Sequence, residues 1–557
     1  MSKQPLDEHV ATAGVPTTEV DPAGAPLPKW VLGGAIVLIT IAAFAPVLEN
    51  GFVNWGDRKD IVDNPHFRGL TGENLLWMAT AVHMGHYQPL TWLSFALDYA
   101  IWNLNPTGYH LTSLLLHAAC ALAVYVLLRK LLRLAWNGTP IAQDGWSQMA
   151  AAAGALLFAL HPLRVEAVAW ATERRGPLSA LFYLLAILSY LRYAAVAART
   201  QRSTIERPDL PIRNGRGRDY RLAVLAMAFS LLAKEFGVSL PLVLLVLDVY
   251  PLRRLGAARE WIRPRARHVI WEKWPFVALA LVGGALAAVS SAQSGVVRPW
   301  SEYGLFARIG QCFYGLAFYL AKTVFPHNLS PIYSIPHDLK PFAGHLVAAA
   351  VVVTGVTTLL IALRRRFPAG LAAWVAFVVI LLPVLGLLQT GRQIAADRYT
   401  YLPAVAISAL AAGGMLRAFE AGHDPRRTEL RRVVTVGSLL ALAVLTGLTL
   451  RQTRVWRDSL TLWNHALRVN PACPVANDNM GTLLVEADRP REAESFFQRA
   501  IANDPTLVEA YNGYGVALAR QDRLADAIAI WQSALRIHPD YPPARANLDR
   551  ALQRSGR

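Results

Sequence analysis

FVNWGDRKDIVDNPHF (52–67) and LTGENLLWMATAVHMGHYQPLTWLSFALDYAIWNLNPTGYH (70–110) sit between two apolar runs, 30–48 and 111–128. Each flanking run approaches the roughly 20 residues that an α-helix needs to cross a bilayer. The insert holds Asp57, Asp60, Asp63, Glu73, His83 and His86 among many Trp and Tyr residues. A simple membrane anchor has no use for so long a polar insert straight after its first span. The stretch at 90–102 is apolar but short and is interrupted by Asp98, so it is expected to lie along the interface or dip into it. Re-entrant backbone is tolerated where protein or water covers it.

Outward from this loop, apolar runs recur at 149–160, 177–198, 222–233, 236–250, 274–292, 346–363, 367–388, 399–416 and 433–450. With the first two they make about eleven expected spans. The run at 306–325 carries Arg308, Gln311 and Lys322. If it lies on the outer surface, every basic loop falls on one side; if it crosses, the RRR at 364–366 does not. The first placement is adopted. Of the 557 residues, 54% are hydrophobic and 17% charged, a balance that excludes an ordinary soluble enzyme. The formal charge of +17 is concentrated between apolar runs, at 199–221, 253–267 and 364–366. That is the positive-inside pattern of cytoplasmic loops, and it argues against nucleic acid as a partner. Cys120, Cys312 and Cys473 are odd in number and far apart, with neither a metal spacing nor a disulfide framework. Residues 1–28 lack the basic start and apolar core of a cleaved signal; they are expected to be a disordered cytoplasmic tail.

The last hundred residues change character. Pro471, Pro505 and Pro539 stand 34 apart, as do Ala466, Ala500 and Ala534, the aromatics Trp463, Phe497 and Trp531, and the pair Gly481 and Gly515. A 34-residue period of this kind is the tetratricopeptide signature: two antiparallel helices per repeat, packed through small residues. Two full repeats are expected, 474–507 and 508–541, after a helix at 456–470 and before a capping helix at 542–554. The division is thus a tail at 1–28, a membrane domain at 29–451 with its large outer loop at 49–109, and a repeat domain at 456–557 on the outer side. The class is all-α. Tetratricopeptide arrays bind peptides or proteins in their concave face, so a protein partner is expected there; the competing role is a structural cap.

Ionisable residues gather at the outer ends of the expected spans. HPLRVEAVAWATERRG (161–176) supplies Glu166, Glu173, Arg174 and Arg175; AKEFG (233–237) supplies Lys234 and Glu235; 318–336 supplies Lys322 and His327; TGRQIAADRYTYLP (390–403) supplies Arg392, Asp397, Arg398 and Tyr399. Charges at such depth usually face a cavity or a partner. The set suits sugar transfer from a lipid-linked sugar phosphate. The acceptor hydroxyl needs one carboxylate base, the departing phosphate needs positive charge, and the lipid tail needs an apolar groove. Asp57 is the candidate base. Arg398, Lys234, Lys322 and Arg392 are the candidate phosphate contacts, and His83, Glu166, Arg174, Tyr399 and Asp60 the candidate substrate contacts. Each has a plainer reading. Asp57 and Asp60 can be solvated loop acids, Lys234 can snorkel, Arg398 can anchor a helix end, and Glu166 and Arg174 can pair with each other. No resident metal is expected, although one loop acid could share a divalent cation with phosphate oxygens.

FVNWGD (52–57), NPHF (64–67), QPLTW (88–92), HPLRVEAVAW (161–170), the AK of AKEFG, FPHNL (325–329) and ADRYTYLP (396–403) occur here in order. In this the chain resembles the bacterial tetratricopeptide-repeat membrane glycosyltransferase-like proteins. Those are related to the transmembrane O-mannosyltransferases that act on cadherins and to the wider GT-C class. The resemblance covers the chain from about residue 44. It implies a GT-C fold, a polyprenyl-phosphate sugar donor, a protein or glycan acceptor, an exoplasmic active site and, for a bacterial chain, an inner-membrane location. Two departures stand out. The relatives usually carry two adjacent acids in the first loop, and here the first is Gly56, so the carry-over falls on Asp57, with Asp60 as its alternative. Gly176 stands where the pattern often has Asp. Rival readings are a non-catalytic scaffold, in which the repeats recruit exported proteins, and a transporter, against which the absence of paired broken spans speaks.

Overall fold

The structure is a computed structural model that describes residues 28–556 apart from 140, 142–144, 207–214, 257, 296, 337–338, 390 and 421–424. Residues 1–27 of the tail expected at 1–28 and the middle of the basic 199–221 segment therefore lie outside the described residues. The described chain is mostly helical and has almost no strand, in line with the all-α expectation. The bundle is built from α1 (Lys29–Phe44), α2 (Gly72–Thr80), α3 (Pro89–Trp102), α4 (Pro106–Ala135), α5 (Gly145–Ala159), α6 (Val165–Ala169), α7 (Arg175–Glu206) and α8 (Gly215–Ala233). It continues through α9 (Leu240–Val249), α10 (Pro264–Trp271), α11 (Trp274–Gln293), α12 (Leu305–Val324), α13 (Gly344–Ala362), α14 (Pro368–Leu381), α15 (Ala404–Phe419) and α16 (Pro425–Thr453). Proline opens several of these helices, where its missing N–H would be unpaired anyway. α4 adds a cap in which the Asn105 side chain accepts from Thr107 N.

Among the described residues, six helical stretches are long and apolar enough to cross a bilayer: Trp30–Glu49, Pro106–Ala135, Ala171–Val196, Ala266–Gln293, Gly344–Ala362 and Thr428–Trp456. A seventh is the bent pair Gly145–Ala159 and Pro162–Ala169, kinked by 55°. Pro368–Val384 and Ala404–Phe419 are apolar but shorter. The difference from eleven lies in these two and in the runs at 222–233 and 236–250. Charged residues begin the first helix, and the second is the ten-residue α9. α12, with Arg308 and Gln311 buried and Lys322 near its end, is not among the spanning helices. The stretch at 90–102 is a regular helix, α3, packed against α4 and tied to the end of α8 by Thr91 Oγ1 donating to Ala233 O at 3.0 Å.

The repeat domain comprises α17 (Ser459–Val469), the pairs α18 (Pro474–Glu486) with α19 (Pro490–Asn503) and α20 (Val508–Ala519) with α21 (Leu524–Ile537), and α22 (Pro542–Arg554). The 34-residue glycines explain the packing. A Cβ on Gly481 would lie 2.8 Å from the Phe497 ring, and one on Gly515 would lie 2.4 Å from Trp531 Nε1. Only glycine lets each aromatic ring of the second helix sit against the first. The repeats also share a core with the bundle: Phe44, Val47, Trp170, Trp456, Trp463 and Phe497 belong to one cluster of buried side chains. Burial of such aromatic and aliphatic surface contributes about 25 cal/mol per Å², so the repeats are fastened to the bundle by core packing.

Candidate active site

The segments singled out at the outer ends of the expected spans meet at one end of the bundle. Asp57 is fully buried and holds the first loop to the 171–174 turn. Its Oδ1 accepts from Thr172 N at 2.8 Å and Thr172 Oγ1 at 2.7 Å, and its Oδ2 accepts from Val53 N at 3.0 Å. Burial pushes its pKa up to about 6, against the opposing pull of those donors. Next to it, Gly56 has φ +97°, and a Cβ there would sit 3.2 Å from Trp170 Cζ2. This left-handed, closely packed position favours glycine, which accounts for the missing first acid.

The 161–175 segment turns inward, and its charged members are buried. Glu166 accepts from Arg398 N at 2.7 Å and pairs with the Arg398 guanidinium. Glu173 pairs with Arg175 at 3.2 Å, with Lys234, and with Arg398 Nε at 3.8 Å. Arg398 lies over the rings of Trp170 and Tyr399, 5.4 and 4.9 Å from their centroids. Two carboxylates from the inward turn therefore hold three cations from α7, the 234–238 turn and the segment before α15. A Cβ on Gly176 would stand 2.9 Å from Glu173 Oε1.

The cations border a cavity of about 690 Å³. Its polar end includes Arg175, Lys234, Glu235, Arg398, Tyr399 and His86. Its wall is apolar, with Leu279, Val282 and Leu286 of α11 and Leu231 of α8. Burial, with Arg175 and Lys234 nearby, holds the His86 imidazole well below its usual pKa, so it is neutral. Behind the cavity, Asp397 accepts from the Tyr333 hydroxyl at 2.9 Å, and burial beside Glu166 raises its pKa to about 8. Beside Tyr333, the two-residue strand β1 (Tyr333–Ser334) pairs antiparallel with β2 (Gln393–Ala395), which leads into Asp397 and Arg398.

Of the expected site residues, Lys234, Arg398 and Tyr399 line this cavity; the others are placed differently. Glu166 is buried behind Arg398 as its counter-ion. Arg174 does not pair with Glu166. It is buried against the Asp98 carboxylate, donates to Tyr109 O at 2.7 Å, and lies over the Phe95 ring; its task is to fasten the first loop. Lys322 donates to His327 O at 2.6 Å and closes the 325–328 turn. Arg392 reaches into the repeat domain, where it pairs with Asp504 and donates to Thr506 O at 3.1 Å. It is a domain-docking residue. Asp60 and His83 contact each other, Oδ1 to Nε2 at 3.2 Å, with the His83 ring against Trp77 and Trp92. Among the described residues no three His, Cys, Asp or Glu side chains are placed to hold a metal ion.

Four residues carry more of the site than the sequence argument gave them: Glu173, Arg175, Glu235 and His86. The signal for the first two was present, since the ERR run at 173–175 begins a long apolar stretch. Nothing local marked Glu235 over the many other loop acids. Its significance comes from bordering the cavity beside Lys234.

Residues 479–542 match the family model described as Tetratricopeptide repeat. Over 563 aligned residues the chain is 25% identical to the Drosophila melanogaster Protein O-mannosyl-transferase Tmtc1, covering 85% of this chain and 61% of that protein. It is 34% identical over 188 residues to the human Protein O-mannosyl-transferase TMTC2, covering 33% of this chain and 19% of the relative. A third relative, human Protein O-mannosyl-transferase TMTC4, is 29% identical over 177 residues. The chain carries tetratricopeptide repeats and is similar to these O-mannosyl-transferases. It spans less than two thirds of the length of each of these relatives. With several spanning helices it is a multi-pass membrane protein.

Proposed function

We propose that the protein is a membrane glycosyltransferase that moves a sugar from a polyprenyl-phosphate-linked donor to a protein hydroxyl or a glycan, with inversion. The observation that carries this reading is the cavity itself: three cations at one end of an apolar wall. Lys234, Arg175 and Arg398 keep N–H donors beyond those engaged by Glu166 and Glu173, and these would hold the donor phosphate. The lipid would lie along α11. The names of the relatives support the same chemistry. The positive-inside pattern supports an exoplasmic site, periplasmic in a bacterial inner membrane, with the repeats on the same side.

Asp57 was the candidate base, but its oxygens are occupied by three donors and shut from solvent. We assign the base to Glu235, the carboxylate that borders the cavity, and keep Asp57 as a positioning residue. In the reaction the acceptor oxygen bonds to the anomeric carbon, the carbon–oxygen bond to phosphate breaks, and polyprenyl phosphate leaves as an anion. The hydroxyl proton passes to Glu235. A positioned base contributes typically 10²–10⁴-fold.

The test is transfer by the purified full chain in bilayer discs, with polyprenyl-phosphate mannose as donor and exported proteins of the host as acceptors, read by intact mass. Parallel samples with magnesium and with EDTA decide whether a divalent ion shares the phosphate oxygens. Glu235→Gln should lose about 10²–10⁴ in rate with unchanged elution on size exclusion. Transfer that persists in Glu235→Gln removes the base assignment. No transfer by the wild type with any lipid-linked sugar favours the scaffold reading, in which the repeats bind a protein partner without catalysis.

A further inference from the structure

A second cavity, of about 580 Å³, lies at the other end of the bundle. Its position follows from the helices that form it. α7 begins at Arg175 in the first cavity, yet borders the second with Tyr183, Leu184 and Ile187. The connection between α14 and α15 supplies the first cavity. The second is bordered at its far end by Arg366, just before α14, and Arg417, near the end of α15. The reason for the space is local. α14 and α15 line it in part with the small residues Ala372, Ala376, Ala409 and Gly413.

The slot has the dimensions and charge of one leaflet of lipid. α14 borders it from Ala369 to Ile380, a rise of roughly 16 Å at 1.5 Å per residue, about half of a ~30 Å hydrocarbon core. Its walls are aliphatic and aromatic, and its mouth is cationic. Arg417 pairs with Glu420. Among the described residues no carboxylate pairs with Arg366, which is exposed and follows Arg364 and Arg365. Basic pockets between spanning helices on the positive side of a membrane protein suit anionic headgroups.

We propose that this slot is a binding site for an anionic glycerophospholipid, with an acyl chain between α14 and α15 and the phosphate at Arg366 and Arg417. The site is separate from the sugar-transfer cavity and does not depend on the catalytic reading. Its occupant belongs to the leaflet away from the catalytic loops.

The test uses the full chain reconstituted from vesicles of equal parts phosphatidylcholine and phosphatidylglycerol, followed by mass spectrometry of the intact protein with its retained lipid. Wild type should retain phosphatidylglycerol in preference to phosphatidylcholine. Arg366→Glu should lower that preference about tenfold, through the lost attraction of one basic residue near the surface and the added repulsion. Ala409→Phe should lose the retained lipid by filling the slot. Arg365→Glu, outside the lining, should change it little. Equal retention of both lipids by wild type overturns the proposal. So does undiminished phosphatidylglycerol in Arg366→Glu, or an effect there with none in a folded Ala409→Phe, which would place the lipid on the surface. If Ala409→Phe does not fold, Arg366→Glu decides. A last arm adds polyprenyl phosphate; its displacement of phosphatidylglycerol from the slot also overturns the proposal.

Discussion

At the loop end of the bundle, Glu166 and Glu173 hold three cations, Arg175, Lys234 and Arg398. At the other end, Asp248 and Glu272 hold two, Arg254 and Lys273. Both networks are buried and well bonded. In the second, Tyr190 donates to Asp248 at 2.7 Å and Tyr193 to Glu272 at 2.6 Å. Its charges balance, and none of its members borders either cavity. In the first, cations outnumber the carboxylates that pair with them, and all three border a cavity. Burial of charge alone therefore does not mark a site. Charge that faces an opening does.

Substitutions can break that comparison. The largest expected effect is in the balanced network. Asp248→Asn leaves Arg254 and Lys273 short of a buried partner, and should destabilise by about 3–5 kcal/mol. Thermal unfolding in detergent checks this, and transfer per folded molecule should be unchanged. If transfer falls as well, the two networks are not independent. Next, Arg398→Ala should reduce transfer by about 10²–10³, or roughly 2.7–4 kcal/mol. Steady-state rates on folded protein test it, and a rate change no larger than that of Asp248→Asn would erase the distinction.

A pH series addresses the clamp between the first loop and the inward turn. Burial raises the Asp57 pKa to about 6, from the ordinary aspartate value of about 3.9. The folded state thus binds its proton more tightly than the unfolded state. Its contribution is most favourable below about pH 4 and is lost as pH rises through 6. At 1.36 kcal/mol per unit, that is at most about 3 kcal/mol. Asp57→Asn should flatten this step in a stability-against-pH curve; an unaltered step assigns it to another group. The smallest effect is expected at the domain junction. Arg392→Ala removes its bonds to Asp504 and Thr506, and should cost about 1–2 kcal/mol and quicken proteolysis between bundle and repeats. The shared core should keep the repeats attached.

Much of the architecture is legible without coordinates because it rests on local periodicity. The 34-residue spacing of Gly481 with Gly515 and of Phe497 with Trp531 places the repeat helices, since each glycine must clear one ring. Apolar length identifies the long spans, while the charges at the start of α8 and the ten-residue length of α9 hide the limits of the shorter ones. The cavity cations Lys234 and Arg398 stand out because each lies at the edge of an apolar run. Arg392 stands out for the same reason and is a docking residue.

Composition and spacing by themselves determined that this is an all-helical membrane chain ending in tetratricopeptide repeats, with its ionisable residues collected in a few turns. Helix period and apolar length are properties of contiguous residues. Only the tertiary structure decided which of those charges meet an opening and which meet one another. Asp57 and Glu235 are both acids just beyond apolar runs. One is enclosed by Thr172 and Val53 and the other borders the cavity. That difference is made by partners distant in the chain, whose approach depends on how the helices pack.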